Sequence, residues 1–220
     1  MTKSVKTEAI LKKFTEIGII PVVVLNDAKD ALPLGKALME GGLPAAEVTF
    51  RTEAAEESIK IMSDNFPDML VGAGTVLTIN QAERAVRAGA KFIVAPGFDA
   101  EIVKYCIEND IPVCPGTQTP SEIMGALKLG IDHVKFFPAE NAGGLKMINA
   151  VGAALPNVKF MPTGGINATN VVDYLKSPRI FCCGGSWMVK GDMIKAGEFD
   201  KIRDLVKEAA AIVKSVKEEA

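Results

Sequence analysis

Eight short apolar runs alternate with amphipathic stretches along this chain, and the alternation constrains the fold more than any other feature. The runs are residues 18–25, 45–50, 70–76, 92–97, 112–117, 133–138, 159–165 and 180–186. Several are apolar almost throughout, which is typical of strands covered by helices on both faces. Parallel strands separated by helical crossovers form either a closed (β/α)8 TIM barrel or an open doubly wound sheet.

The segments between the runs carry signals for helix boundaries. Thr119 and Glu122 have the spacing of a capping box, and Pro120 stands at the first helical position. Eight β-units without a linker-like break favour one closed barrel domain spanning residues 1–220. No G-x-G-x-x-G follows any strand, which argues against the open dinucleotide-binding sheet. We also expect an additional helix over residues 3–15, covering the bottom of the barrel.

Composition and charge exclude several classes of protein. Hydrophobic residues make up 48% and charged residues 24% of the 220 residues, close to the globular average, so a disordered or fibrous chain is excluded. The net charge of −2 lacks the basic footprint of a nucleic-acid-binding protein. No apolar run reaches the ~18 residues of a membrane span, and the first residues do not form an apolar signal core. We therefore expect a cytoplasmic protein without a nucleic-acid or membrane partner.

Cysteine and histidine do not occur in the pattern of a metal site. The four cysteines form no C-x-x-C pair, so we expect reduced and mostly buried thiols at Cys106, Cys114, Cys182 and Cys183. His133 is the only histidine, so the chain cannot assemble a histidine-rich zinc site. We expect no metal ion, and we expect a structural role for His133 because it begins its strand.

The second run carries polar residues on the side where a barrel keeps its packed interior. Glu47, Thr49 and Arg51 share one parity and point towards the barrel axis, whereas Val48 and Phe50 face the helices. Buried charges cost several kcal/mol unless they are paired or used in chemistry. The pattern indicates an active site at the carboxyl ends of the strands, with a buried ion-pair network as the alternative.

The sixth run places a lysine on the same inward side. Lys135 stands between Val134 and Phe136, which face the helices. Lysine is rarely buried without a partner or a purpose. An apolar environment favours the neutral amine, which can attack a carbonyl carbon. A structural ion pair between Lys135 and Glu47 remains the alternative.

Paired glycines end the seventh and eighth runs. They belong to the phrases Thr163–Gly165 and Gly184–Ser186, at the two strand ends where β/α barrels commonly bind phosphate. Neither phrase contains Lys or Arg, so we expect backbone N–H groups and the Ser186 hydroxyl to bind the anion. Tight turns that require a positive φ are the alternative.

These residues together resemble the KDPG/4-hydroxy-2-oxoglutarate aldolases, where KDPG is 2-dehydro-3-deoxy-6-phosphogluconate. The matching phrases follow the family order over nearly the whole chain and are Glu47–Thr52, Val71–Val76, Ala95–Gly97, Lys135–Glu140, Pro162–Ile166 and Gly184–Trp187. The resemblance implies a TIM-barrel class I aldolase that is a homotrimer and uses no metal ion.

The resemblance also implies a role for each candidate residue. Lys135 would form the Schiff base with the C2 ketone, and Glu47 would be the general acid and base. The imine accepts the electrons of the C3–C4 bond, so no cofactor is needed. The other substrate contacts would be Arg51 and Thr75 at the carboxylate, Pro96 and Phe137 along the pocket wall, and Thr163, Gly164, Gly165, Gly184, Gly185 and Ser186 at the phosphate.

The expected substrate is therefore a small 2-keto acid phosphate. KDPG would give pyruvate and glyceraldehyde 3-phosphate, and 4-hydroxy-2-oxoglutarate would give pyruvate and glyoxylate. Three alternatives remain open: an aldolase for the C4 epimer of KDPG, called KDPGal; a phosphosugar isomerase on the same barrel, which would not require Lys135; and a catalytically silent assembly protein, which would not retain the interior charges.

Overall fold

The strands of the protein are short, and all their pairings are parallel. The computed structural model describes residues 3–219. Its strands are β1 Ile19–Val23, β2 Ala45–Thr49, β3 Leu70–Gly74, β4 Ile93–Val94, β5 Val113–Cys114, β6 Gly116–Thr117, β7 His133–Phe136, β8 Lys159–Pro162 and β9 Cys183–Gly185. The strands within the runs 92–97 and 180–186 are much shorter than the runs themselves.

Helices connect the strands, except between β5 and β6, which are separated by Pro115 alone. They are α1 Val5–Ile17, α2 Ala31–Gly41, α3 Ala55–Asn65, α4 Ile79–Arg87, α5 Ala100–Glu108, α6 Pro120–Lys128, α7 Gly144–Ala154, α8 Val171–Leu175, α9 Gly191–Lys195 and α10 Phe199–Glu218, with a 3₁₀ turn at Ala28–Asp30. The helix expected over residues 3–15 begins two residues later because the Ser4 side chain caps its start, and it ends two residues later before Gly18, whose φ is 76°. The predicted capping box is present at α6. Among the helices of residues 3–219, none has the length and hydropathy to cross a bilayer.

The strands form two parallel sheets that meet at two seams. One sheet has the order β5-β4-β3-β2-β1-β9, and the other has the order β6-β7-β8. The fifth predicted run is divided into β5 and β6 at Pro115, which has no N–H to donate to a ladder. At the other seam, isolated parallel bridges join Phe160 to Ile180 and Thr163 to Gly184. The eight predicted β-units therefore contain nine strands.

The apolar core has two parts. The larger part lies between the strands and the helices and contains Val48 and Phe136. A smaller cluster, which we call the inner plug, joins α1 to residues of β1–β5, β8 and the approach to β9. In the inner plug the ring of Phe14 packs edge-on against Phe92, with 4.7 Å between centroids, and lies 6.0 Å from the ring of Phe181. Helix α1 is thereby packed against residues near the amino ends of the strands.

Candidate active site

A buried ion pair lies between strands of the two different sheets. Lys135 of β7 and Glu47 of β2 are 4% and 0% exposed, and Lys135 Nζ donates to Glu47 Oε1 at 3.1 Å. Val134 and Phe136 belong to the larger core, so the predicted alternation along β7 is confirmed. Glu47 Oε2 is buried and has no hydrogen-bond partner in residues 3–219. This oxygen can therefore exchange a proton or a hydrogen bond with a bound molecule.

A glycine in the neighbouring strand makes room for the Glu47 carboxylate. Gly74 of β3 pairs with Thr49 of β2, and a Cβ at Gly74 would overlap the Glu47 side chain. Two residues beyond Glu47, the Thr49 hydroxyl donates to the Val23 carbonyl at 3.0 Å. The strand pairing thus supports the position of Glu47 on both sides.

Arg51 differs from the prediction that it points into the barrel interior. It lies beyond the end of β2 and is exposed, and its Nε donates to the Thr49 hydroxyl at 3.2 Å. The strand parity that orients Glu47 does not apply there, because the chain turns after Thr49. The guanidinium is consequently at the rim of the site.

Three further candidates follow strand ends near the pair. The ring centroid of Phe137 lies 5.3 Å from Lys135 Nζ. Thr75 follows β3 with a φ of 55°, a conformation that is costly for a threonine, and the half-buried Pro96 follows β4. Within residues 3–219, no hydrogen bond joins Thr75 or Pro96 to the ion pair. Phe137 is therefore the one of these three with a defined contact to it.

A cavity of about 380 Å³ opens beside the carboxyl ends of β8 and β9, a volume suited to a small molecule. It brings together both glycine phrases and two other predicted residues. Its lining is Val22, Val24, Arg51, Phe137, Thr163, Gly164, Gly165, Ile166, Gly184, Gly185, Ser186, Val189, Lys190 and Gly191. Besides the residues of the two glycine phrases, two cationic side chains, Arg51 and Lys190, line the cavity. Lys190 was missed because it stands four residues beyond the glycine phrase, after the strand has ended.

Glycine is required at the two glycine pairs for different structural reasons. Gly164 and Gly165 have φ values of 97° and 82°, which only glycine adopts readily. Gly184 and Gly185 have no positive φ; instead, a Cβ at either position would overlap Thr163 or the Trp187 ring. The positive-φ alternative therefore explains only the first pair.

The loop after β8 is supported from below by Glu140. The Glu140 N–H donates to the Gly164 carbonyl at 3.1 Å, and its side chain packs where a Cβ of Gly165 would lie. The buried Tyr174 of α8 donates its hydroxyl to Glu140 Oε1, and burial together with this hydrogen bond raises the pKa of Tyr174. In this loop the Thr163 hydroxyl is buried without a partner in residues 3–219. It is thus a second polar group available to a ligand.

The prediction of free, buried cysteines is confirmed, and His133 lies at the start of β7 as its place in the sequence indicates. All four cysteines are free and buried, and burial raises the pKa of Cys106 to about 12. His133 begins β7, and its Nδ1 lies 2.6 Å from Asp132 Oδ1 and 3.2 Å from Lys3 Nζ. Its ring packs on Phe181, in the inner plug. Residues 3–219 contain no group of three His, Cys, Asp or Glu side chains that could hold a metal ion.

The fold and the site together indicate the class of protein: a parallel α/β enzyme in which a buried lysine–glutamate pair lies beside an open cavity. Residues 10–205 match the sequence profile of a protein family described as KDPG and KHG aldolase. The chain belongs to this KDPG and KHG aldolase family.

Individual relatives support the same assignment. The 2-dehydro-3-deoxy-phosphogluconate aldolase of Haemophilus influenzae is 46% identical over 211 residues, which cover 96% of this chain and 100% of that protein. A KDPG aldolase structure from Legionella pneumophila, with pyruvate captured as a covalent carbinolamine, has a TM-score of 0.87 at 42% identity, covering 90% of this chain and 96% of that one. The Zymomonas mobilis enzyme with 3-phosphoglycerate has a TM-score of 0.85 at 40% identity, covering 94% and 95%.

Proposed function

We propose that this protein is a class I aldolase that reversibly cleaves KDPG to pyruvate and glyceraldehyde 3-phosphate. The observation that carries the proposal is the buried Lys135–Glu47 pair, in which an amine and a carboxylate lie 3.1 Å apart and one carboxylate oxygen has no hydrogen-bond partner in residues 3–219. The pyruvate carbinolamine in the similar Legionella structure is the adduct expected when an amine adds to a ketone. Cleavage of 4-hydroxy-2-oxoglutarate to pyruvate and glyoxylate is the second expected reaction.

In the proposed mechanism Lys135 supplies the nucleophile. Its neutral amine adds to the C2 ketone, and loss of water from the carbinolamine gives a protonated imine. The C3–C4 bond then breaks, its electrons move into an enamine, and the C4 hydroxyl loses a proton as glyceraldehyde 3-phosphate forms. Protonation of the enamine at C3 and hydrolysis of the imine release pyruvate. Neither a cofactor nor a metal ion is required.

Glu47 is placed to move the protons of this sequence. Its Oε1 accepts from Lys135 Nζ, so Glu47 can take the ammonium proton, which frees the amine to add to the ketone, and it can return that proton to the departing water. The unpartnered Oε2 can serve the C4 hydroxyl, through a water molecule where the distance requires it.

The substrate ends are assigned to the two sides of the site. Arg51 suits the carboxylate because its planar guanidinium can bind two oxygens, and Thr75 is proposed to assist it. Pro96 and Phe137 are proposed to line the pocket around the imine. The distal phosphate is assigned to Thr163, Gly164, Gly165, Gly184, Gly185 and Ser186.

We further infer that the two sheets close into one (β/α)8 barrel, within a single domain spanning residues 1–220. The two seams and the inner plug support closure, because a Lys135–Glu47 contact between β7 and β2 has to cross the interior. Helix α1 is then the additional helix that covers the bottom of the barrel. We propose a cytoplasmic homotrimer, by analogy with the family.

A comparison of three substrates tests the function. KDPG should be cleaved faster than its C4 epimer and faster than 4-hydroxy-2-oxoglutarate, and activity should survive a chelator. Faster cleavage of the C4 epimer would replace the proposal by a KDPGal aldolase. Isomerisation of a phosphosugar without C–C cleavage would overturn the aldolase assignment.

A further inference from the structure

We propose that Lys190 is a further substrate-binding residue, whose ammonium group contacts the distal phosphate. The inference rests on the proposed function and deepens it, since it adds a charged side chain to a phosphate site otherwise formed by backbone and hydroxyl groups. Lys190 lines the same cavity as Thr163–Gly165 and Gly184–Ser186. It is a specificity residue for phosphorylated over unphosphorylated substrates.

The backbone around Lys190 is held in a defined position. After β9 the chain turns back, with the Val189 N–H donating to the Ser186 carbonyl at 3.1 Å. Met188 and Val189 are buried, at 0% and 2% exposure, and anchor this turn. The Lys190 carbonyl accepts from the Ile194 N–H at 3.1 Å. Lys190 is therefore an exposed residue of the cavity lining that stands on an ordered stretch of backbone.

The charges around the cavity favour an anion. Its lining contains two cationic side chains, Arg51 and Lys190, and no Asp or Glu. In residues 3–219 Lys190 forms no salt bridge, and the nearby Asp192 carboxylate accepts from the Met193 N–H. A lysine ammonium is a compact charge that binds phosphate without a fixed orientation. With Arg51 assigned to the substrate carboxylate, Lys190 is the cation that remains for the phosphate.

The test compares Lys190→Met with Lys190→Arg and with Lys195→Met, a matched control at the exposed lysine that ends helix α9, the helix that begins directly after Lys190. The aldol addition of pyruvate is measured with glyceraldehyde 3-phosphate and with glyceraldehyde. For Lys190→Met we expect kcat/KM to fall about five- to tenfold with the phosphorylated aldehyde, as for a partly exposed hydrogen bond to a charged group. The value with glyceraldehyde should change less than about twofold, and added salt should reduce the difference between variant and unaltered protein.

Lys190→Arg should retain most of the activity, and Lys195→Met should retain all of it. Equal losses with both aldehydes, or no loss with glyceraldehyde 3-phosphate, would overturn the assignment of Lys190. Binding of inorganic phosphate by titration calorimetry supplies a readout that needs no catalysis. Weaker phosphate binding in Lys190→Met, by a similar factor, supports the inference even if the protein cleaves no aldol, whereas unchanged phosphate binding contradicts it.

Discussion

Inward residues near the amino ends of the strands differ in chemistry from those near the carboxyl ends, although the same strands supply both. In β2, Ala45 belongs to the inner plug, and Glu47, two residues later, is charged. Met161 of β8 likewise belongs to the inner plug, and Thr163, two residues later, has a hydroxyl without a hydrogen-bond partner in the described part of the chain. On one face of a strand, a residue that packs in the core is thus followed, two positions later, by a residue with a polar group available for chemistry. Depth along the strand, rather than the strand itself, decides which role an inward residue has.

The difference also separates stability from reactivity. The inner plug buries aromatic and aliphatic side chains, whose removal from water stabilises the folded state. Near the carboxyl ends, Glu47, Lys135 and Thr163 form what we call the upper layer. It buries an ion pair and two oxygens without a hydrogen-bond partner in residues 3–219, which stabilise less than apolar residues of similar size. Substitutions in the upper layer should therefore reduce turnover, and substitutions in the inner plug should reduce the free energy of unfolding.

Replacement of Glu47 by glutamine should have the largest effect on turnover. The amide keeps the shape and a hydrogen-bond acceptor for Lys135, but it cannot carry a proton between steps. We expect Glu47→Gln to lower kcat by about 10²–10⁴-fold while pyruvate still binds. Steady-state kinetics measure the loss, and thermal unfolding checks that the variant is folded. Unimpaired turnover would return the pair to a purely structural role.

Replacement of Phe14 tests the other side of the comparison. Phe14 is 2% exposed and contacts two aromatic rings of the inner plug, so Phe14→Ala should lower the free energy of unfolding by about 3–5 kcal/mol. The folded fraction should keep its kcat, because the ring lies outside the proposed site. Val5→Ala, at an 84% exposed position of the same helix, is the matched control and should change stability little. A kcat that falls in Phe14→Ala while the protein remains folded would show that the two layers are coupled.

The Ser186 hydroxyl should have an intermediate effect that depends on the substrate. A hydrogen bond to a charged group contributes about 1.5–3 kcal/mol, so Ser186→Ala should lower kcat/KM for KDPG by about 10- to 150-fold. The loss should nearly vanish with 4-hydroxy-2-oxoglutarate, which has no phosphate. Gly185→Ala should be more damaging, because its Cβ would overlap the Trp187 ring. Equal losses with both substrates would mean that the loops are structural.

The smallest effect is expected from the pH dependence of stability at His133. Burial lowers the pKa of His133 below its ordinary value of 6.5, although the hydrogen bond to Asp132 opposes the shift. Between these two pKa values the unfolded chain binds more protons than the folded chain, so stability falls as the pH drops below 6.5. Chemical denaturation at a series of pH values should show this loss, and His133→Gln should remove it. A slope that is unchanged in the variant would assign the loss to another group.

The inward positions were predictable from sequence because a strand has a side-chain period of two. Charged residues flanked by apolar ones, as in Val134-Lys135-Phe136, show which face is unusual. A Lys135–Glu47 pair could be named from the sequence as one alternative, but its 3.1 Å distance could not be derived, because β7 and β2 lie in different sheets and meet only across the interior. The pattern gives the face of each residue but not the distance between two of them.

Features that depend on loops were the least predictable. Lys190 reaches the cavity through a turn anchored by Val189 and Ser186, which no strand periodicity describes. The same holds for Arg51: the alternation that orients Glu47 ends with β2 at Thr49, so it does not predict the direction of the Arg51 side chain. The seam at Pro115 was visible as a proline in an apolar run, but the run as a whole still indicated one strand.

The central claim is that the amine of the upper layer reacts covalently with substrate. Incubation with pyruvate followed by borohydride reduction should add one stable pyruvate-derived mass per chain, and peptide mapping should locate it at Lys135. The Lys135→Met variant should carry no such adduct, whereas Lys195→Met should be modified like the unaltered protein. Modification of a different lysine, or an active protein that yields no adduct, would contradict the account.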